Sequence, residues 1–342
     1  IISLQIARLY FFPNFYLYLV TAVAIELIQK VFVSLYLDKL YPYLKEKEVE
    51  KLSEEEVGGI VKQTKALVLH RVGDMARSQT DAMIIAAFID VTTVNFVGSY
   101  NHVISSVSNF VNVIFNSVLS SFGNLIATEK KEKQYWMFQV YRFLGCWIYG
   151  FSAIGFFLML TPLIILWVGE ERALSDLVIG CIMFDYYFKG ERIVLTNYKT
   201  AAGVFQQDKY LPLIQGAVNL VVSIVLVQKV GLVGIYIGTI VSGLIANITR
   251  PFIIYKVCFD ESVAVYFKDS LKYIAVNGIA VILLLFLKNS IMTSVTIPMF
   301  ILMVGVITVV YNALFVAIFG RCREFAYLRG LVVDKMRKKS RR

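Results

Sequence analysis

The sequence predicts an all-α fold: a polytopic membrane helical bundle of about nine spans. Three observations predict it. Of the 342 residues, 58% are hydrophobic and only 17% are charged, and the mean hydropathy is +0.69; a soluble domain has no use for that much apolar surface. The apolar residues fall in runs of roughly 20, the length that crosses a hydrocarbon core of about 30 Å. Lysine and arginine are concentrated in every second connector, as membrane topology requires.

The rest of the composition narrows the class. The net charge of +10 would suggest nucleic acid in a soluble protein. Here its placement in connectors argues for topology instead, so no nucleic-acid partner is expected. Cys146, Cys181, Cys258 and Cys322 are scattered without a CxxC pair, which predicts neither a zinc site nor a disulfide framework. His70 and His102 are too few for a histidine-built metal site. No metal and no cofactor is expected, and no signal peptide is seen. The chain opens Ile1-Ile2-Ser3 in what reads as the tail of a hydrophobic span, which predicts that further N-terminal sequence precedes it.

Residues 1–12 are apolar but too short to span, and Pro13-Asn14 predicts a turn. Residues 15–37 form the first full span, with Glu26 and Lys30 placed to pair at i,i+4. Residues 38–65 are a charged connector in which Ser53 and Glu56 have capping-box spacing, predicting a short surface helix.

Residues 64–90 read as a span that carries Arg71, Asp74, Arg77 and Asp81. Their spacing keeps all four on one helical face, with Ser78 near its edge. Each charge at the bilayer centre costs roughly 2.5–3.5 kcal/mol on insertion scales. The face must therefore meet protein or water, and the alternating signs let each cation find a carboxylate one turn away. This helix is expected to form one wall of a polar cavity; the alternative is a set of buried ion pairs that fix helix register.

Residues 92–121 form a span with Asn101, Ser105, Ser108, Asn109, Asn112 and Asn116 on one side, suited either to cavity lining or to interhelical hydrogen bonds. Gly123-Asn124 is expected to end it, with the EKKEK stretch 129–133 as a solvated loop. Residues 137–165 span next, interrupted by Thr161-Pro162, and Trp167 opens an interfacial turn. In the span 174–195 a second polar face carries Asp185, Lys189, Arg192, Thr196 and Lys199, with Glu191 off it. Lys199 lies at its edge and reads as a solvated lysine. His70 reads as a packing or interface residue rather than a ligand.

Residues 210–227 and 233–257 are ordinary spans joined by a tight Gly231/Gly234 turn, and Gly238 with Ser242 permits close helix contact. Residues 259–269 are amphipathic enough for a surface segment. Spans at 272–287 and 297–319 follow, and the tail ends KMRKKSRR, a topology anchor suited to an anionic membrane surface. One set of alternate connectors, with the tail, holds 23 Lys and Arg; the other holds three, Arg172, Lys229 and Lys288. The first set is therefore cytoplasmic, C-terminus included. The outer connectors are short, which disfavours a membrane glycosyltransferase or polymerase. No Walker A motif occurs, so ATP is not the expected direct energy source.

Several stretches in one order carry a resemblance: DKLYPYLK (38–45), TDAMIIAAFI (80–89), TEKKEKQY (128–135), LWVGEE (166–171), YKTAAGVFQQDKYLPL (198–213) and VGLVGIYIGTIVS (230–242). In that order the chain resembles the Wzx-type polysaccharide flippases of bacteria. These belong to the multidrug/oligosaccharidyl-lipid/polysaccharide exporter superfamily, whose fold is MATE-like. The resemblance implies two six-helix lobes around a central cavity plus two C-terminal helices. On that template residues 1–37 are the remnant of the N-terminal lobe and 38–63 the cytoplasmic connector. Residues 64–257 are a six-span C-terminal lobe, 258–319 two appended spans and 320–342 a basic cytoplasmic tail.

The cargo implied is an undecaprenyl-pyrophosphate-type lipid-linked oligosaccharide, moved across a bacterial plasma membrane by gradient-coupled alternating access. Membrane lipids and other polysaccharide-assembly proteins are the expected partners. Arginine suits a pyrophosphate, so Arg71, Arg77, Lys189 and Arg192 are the candidate anion-binding residues. Asn109, Asn112 and Asn116 are candidates for sugar hydroxyls. Asp74, Asp81 and Asp185 are candidates for ion coupling, or for holding the cations in place. The alternatives are a MATE-like drug–cation antiporter and, with no catalytic residues to support it, a membrane glycosyltransferase or polymerase.

Overall fold

The computed structural model describes residues 14–45 and 52–340. The stub before Asn14, Lys47, Lys51, Arg341, Arg342 and the side chain of Ser78 lie outside the described residues. All regular structure among the described residues is helical. Residues up to 60 and those from 61 onward form two units.

In the first unit α1 spans Phe15–Leu40. Asn14 Oδ1 caps it by accepting from the Leu17 N–H at 3.1 Å. Glu26 and Lys30 pair at 2.8 Å, as their spacing predicts.

Helix α2 runs Glu54–Phe88 without a break. The capping box forms: the Ser53 N–H donates to Glu56 Oε2 at 2.9 Å and the Glu56 N–H to Ser53 Oγ at 3.3 Å. The expected short surface helix is corrected, because no proline or left-handed glycine follows to stop it. Its 35 residues give about 52 Å at 1.5 Å per residue, well beyond one bilayer core.

Asp90 caps α3 (Val91–Asn116), accepting from the Thr93 N–H at 2.7 Å. The single span expected over 92–121 instead breaks at Ser117. Its hydroxyl donates to the Ile114 carbonyl at 2.7 Å, and the Val118 N–H tightens onto Phe115 at 3.3 Å. Helix α4 (Leu119–Thr128) then carries Gly123 and Asn124 inside it, and only Glu129 and Lys130 of the expected loop are non-helical.

Helix α5 covers Lys131–Val168 and continues through Pro162, and α6 covers Asp176–Ala201. Helices α7 (Leu211–Val230) and α8 (Leu232–Ile254) form a hairpin about Gly231, whose φ of 60° suits glycine. A Cβ on Gly238 would meet Ser223 Oγ at 2.1 Å, so the expected close approach is realised between these two helices. A π-helical turn, Tyr255–Phe259, follows. The expected surface segment and the span at 272–287 are one helix, α9 (Val263–Ile291), after left-handed Asp260. Helices α10 (Ile297–Phe319) and α11 (Arg323–Ser340) follow.

Seven helical stretches among the described residues are long and apolar enough to cross a membrane, which marks a multi-pass membrane protein. Helices α2 and α6 are long enough but too charged to be counted among them.

Two apolar clusters hold the second unit together. The larger joins α2 to α8 and includes Tyr100, Phe115, Phe138, Tyr198 and Ile235. The smaller packs α9 and α10 on α5 through Phe143, Leu158, Leu284, Met303 and Phe315. Polar struts cross it: the Trp147 indole donates to Asn312 Oδ1 at 3.0 Å and the Tyr311 hydroxyl to Asn277 Oδ1 at 3.0 Å. The outward sides of α9 and α10 expose Ile282, Phe286, Ile301 and Val309, as expected of lipid-facing positions.

Candidate functional site: a cation-rich cavity

Faces of α2, α3, α6 and α8 border a cavity of about 870 Å³. All four charges of the α2 stripe line it, as do Asp185, Lys189, Arg192, Thr196 and Lys199 of α6. The spacing read from sequence thus places nine polar side chains on one cavity. Six Lys and Arg side chains meet three aspartates in this lining.

The pairing differs from the expectation of partners one turn apart. Arg77 Nη2 lies 3.2 Å from Asp185 Oδ1, and Arg192 Nη2 lies 2.9 Å from the same oxygen. One α6 carboxylate therefore holds an arginine from α2 and an arginine from its own helix. Arg77 Nε also donates to Ser242 Oγ at 3.3 Å, and Arg192 Nη1 donates to Asn247 Oδ1 at 2.7 Å. Glycine makes room for the cluster: a Cβ on Gly243 would stand 2.6 Å from Arg192 Nη1 and 2.9 Å from Asp185 Oδ1.

Asp81 is also held across helices. The Thr239 hydroxyl donates to its Oδ2 at 3.0 Å, and Asn219 Nδ2 donates to that hydroxyl at 3.0 Å. Asp81 Oδ1 is buried and has no hydrogen-bond partner among the described residues. Asp74 forms no ion pair among the described residues.

Lys199 corrects another expectation. It is 2% exposed rather than solvated. Its Nζ donates to both oxygens of Asp208, at 2.8 and 2.7 Å. Asp208 sits in the loop between α6 and α7, and His70 Nε2 and Arg250 Nε approach it at 3.3 and 3.6 Å. Burial alone would raise the Asp208 carboxyl, but the contact with His70 and the Lys199 ammonium outweigh burial and hold it below the usual carboxylate range.

With Asp185 and Asp208 so occupied, Arg71 and Lys189 are the cavity cations left without a carboxylate within 4 Å among the described residues. Both are exposed to the open space rather than packed. Among the described residues the cavity therefore presents two cations without a carboxylate partner, backed by four that have one, Arg77, Arg192, Lys199 and Arg250.

The asparagine face divides. Asn101 lines the cavity. Asn109, Asn112 and Asn116 do not, because the second half of α3 leaves the cavity to pack on α5 and α6. Asn112 Oδ1 accepts from the Tyr149 hydroxyl at 2.8 Å, Asn116 Oδ1 accepts from Asn197 Nδ2 at 3.2 Å, and Asn109 is exposed elsewhere. These two bonds are the interhelical use of asparagine, not cavity lining.

Sequence reading missed Arg250, Thr239, Asn219 and Asp208. Arg250 could have been found, since a lone arginine inside an apolar span marks a functional position. Arg142 carries the same signal. It is buried on α5, donating to the Tyr266 carbonyl at 2.7 Å and to Ser270 Oγ at 2.6 Å. Ser270 in turn donates to Glu191 Oε1 at 3.1 Å, which places Glu191 on the side of α6 away from the cavity. No protein-family model matches the chain, and no curated protein sequence matches it.

Proposed function

We propose that the chain is part of a membrane exporter that carries an anionic, lipid-linked oligosaccharide across a bacterial plasma membrane by gradient-coupled alternating access. In this reading α2 and α6 also cross the bilayer, giving nine spans. Residues 64–257 form the MATE-like C-terminal lobe, and the lysine-rich connectors and tail are cytoplasmic. The single observation that carries it is the pair of cations without a carboxylate within 4 Å among the described residues, Arg71 and Lys189, in an 870 Å³ cavity whose lining sets six Lys and Arg side chains against three aspartates. A pyrophosphate crossing a hydrocarbon core needs such charges to replace its hydration. Asn101, rather than Asn109, Asn112 or Asn116, is the asparagine placed to meet sugar hydroxyls.

Arg77 and Arg192 already share Asp185 and serve to hold α2 against α6. Asp81, which lines the cavity and has one buried oxygen without a hydrogen-bond partner among the described residues, is the carboxylate suited to bind a coupling proton or sodium. That oxygen is also the observation that favours the second reading, a drug–cation antiporter.

Binding of undecaprenyl pyrophosphate to the purified chain in lipid nanodiscs tests the first reading. Arg71→Gln and Lys189→Gln should each weaken binding roughly tenfold, about 1.4 kcal/mol. Unchanged affinity in both, or preferential binding of organic cations, refutes it.

A further inference from the structure

One end of the cavity is bordered by a loop, through Phe205. The loop between α6 and α7 brings Asp208 back over the C-terminal end of α6. There the carboxylate is 4% exposed and touches a group from each of three helices: His70 of α2, Lys199 of α6 and Arg250 of α8. Phe205 of the same loop lines the cavity at this end, beside Thr200. A second tether joins the loop to α2, Gln206 Nε2 donating to the Lys62 carbonyl at 2.8 Å. His70, Lys199 and Arg250 themselves line the cavity, whereas Asp208 does not. The carboxylate thus approaches from behind and neutralises cations that otherwise face the open space.

We propose that Asp208 is a tethered anion: it occupies the His70–Lys199–Arg250 site, keeps this end of the cavity latched, and is displaced when an oxyanion of the phosphate class binds. The proposal deepens the anionic-cargo reading and rests on it. Three features set this site apart from a plain buried ion pair. One carboxylate serves three helices at once. Its own element is a loop of nine residues, 202–210, rather than a helix, so release moves that loop without unpacking the bundle. Its cationic partners line the same cavity as Arg71 and Lys189, the cavity that the anionic cargo is proposed to enter. A latch of this kind lowers apparent affinity by the fraction of chains that are closed, and binding of the cargo opens it.

The test uses the full chain in lipid nanodiscs, with inorganic pyrophosphate as the probe and calorimetry as one readout. The second readout is thiol labelling of Val204→Cys by a water-soluble maleimide, with the native cysteines replaced by serine. Val204 is 6% exposed in the latched loop. Asp208→Asn should bind pyrophosphate roughly fivefold tighter or more, because no closed state remains to be opened. It should also label faster at position 204, and pyrophosphate should speed labelling of the otherwise unaltered chain. Asp208→Glu, which keeps the charge, should restore slow labelling.

If the unaltered chain binds pyrophosphate through Arg71 while Asp208→Asn changes neither readout, the latch is overturned and the anionic-cargo reading stands. If no variant binds pyrophosphate, that reading fails and the displacement step fails with it. Should Asp208→Asn not reach the membrane, Lys199→Gln carries the same test, since it removes two of the Asp208 bonds and leaves the loop sequence intact. Failure of both to fold would make the cluster purely structural and overturn the proposal.

Discussion

Removing the Asp185 carboxylate should damage the protein more than removing either arginine it holds. Asp185 Oδ1 accepts from Arg77 at 3.2 Å and Arg192 at 2.9 Å, and the three side chains are 14%, 17% and 6% exposed. Asp185→Asn keeps the shape but leaves two guanidinium groups facing one neutral amide. Breaking a buried pair from one side costs about 3–5 kcal/mol, because the surviving charge is stranded. Here two charges are stranded, and they repel each other. Partial access to the cavity softens this, so about 3 kcal/mol is the expected loss. Arg77→Gln alone removes one cation but leaves Asp185 its bond to Arg192, and should cost closer to 1–2 kcal/mol. In the double variant Asp185→Asn/Arg77→Gln one stranded charge is gone, so the loss should be smaller than the sum by about 1–2 kcal/mol. Thermal unfolding in detergent, read by tryptophan fluorescence, measures all three. Additive losses, or an Asp185→Asn variant within about 0.5 kcal/mol of the parent, would refute the shared-carboxylate account.

Gly73→Ala should destabilise by about 1–3 kcal/mol, because the new Cβ would lie 2.4 Å from the Pro212 carbonyl carbon, which is backbone and cannot swing away. Gly58→Ala, where nothing lies within 4 Å, should be neutral or slightly stabilising in the same unfolding assay. Gly243→Ala should lower anion affinity as well as stability, since its Cβ would press on both Arg192 and Asp185; calorimetry with pyrophosphate reads the first effect. The stability difference between the parent and Asp208→Asn should depend on pH in one direction only. Asp208 is held below the usual carboxylate range against Lys199, Arg250 and His70, so its contribution is complete above that range and is lost only as pH falls through the lowered value. Melting curves should show the full difference at pH 7 and pH 5 and a vanishing one only in strong acid; a difference that disappears by pH 5 would contradict the assignment.

Much of the cavity was legible in the sequence, because helical spacing is local information. The steps between Arg71, Asp74, Arg77 and Asp81 fix one face of a helix whatever surrounds it, and the same holds for Asp185 through Lys199. What that face meets is not local. Arg77 bonds an aspartate more than a hundred residues away, not the aspartates within its own helix, because a long guanidinium side chain reaches a neighbouring helix as easily as the next turn. Asp208 was invisible for the opposite reason. An aspartate in a polar loop reads as solvated, and only the fold brings His70 and Arg250 around it. The asparagine face failed halfway along α3 because one continuous helix passes from the cavity at Asn101 into the packing around Tyr149 at Asn112. Helix ends were the least legible. Two expected breaks, after the capping box and at Pro162, proved continuous, and one expected span breaks at Ser117, where a side-chain bond to the backbone competes with the helix.

The most direct measurement is the charge selectivity of thiol modification inside the cavity. In a chain whose native cysteines are replaced by serine, Asn101→Cys places a small neutral probe on the cavity wall. Val113→Cys places one on an exposed apolar face outside it. With rates normalised to a free thiol, a negatively charged methanethiosulfonate should modify position 101 faster than a positively charged one, and neither should modify position 113 at a comparable rate. Equal reaction at the two positions, or faster modification of position 101 by the cationic reagent, would contradict a water-filled cavity that carries surplus positive charge.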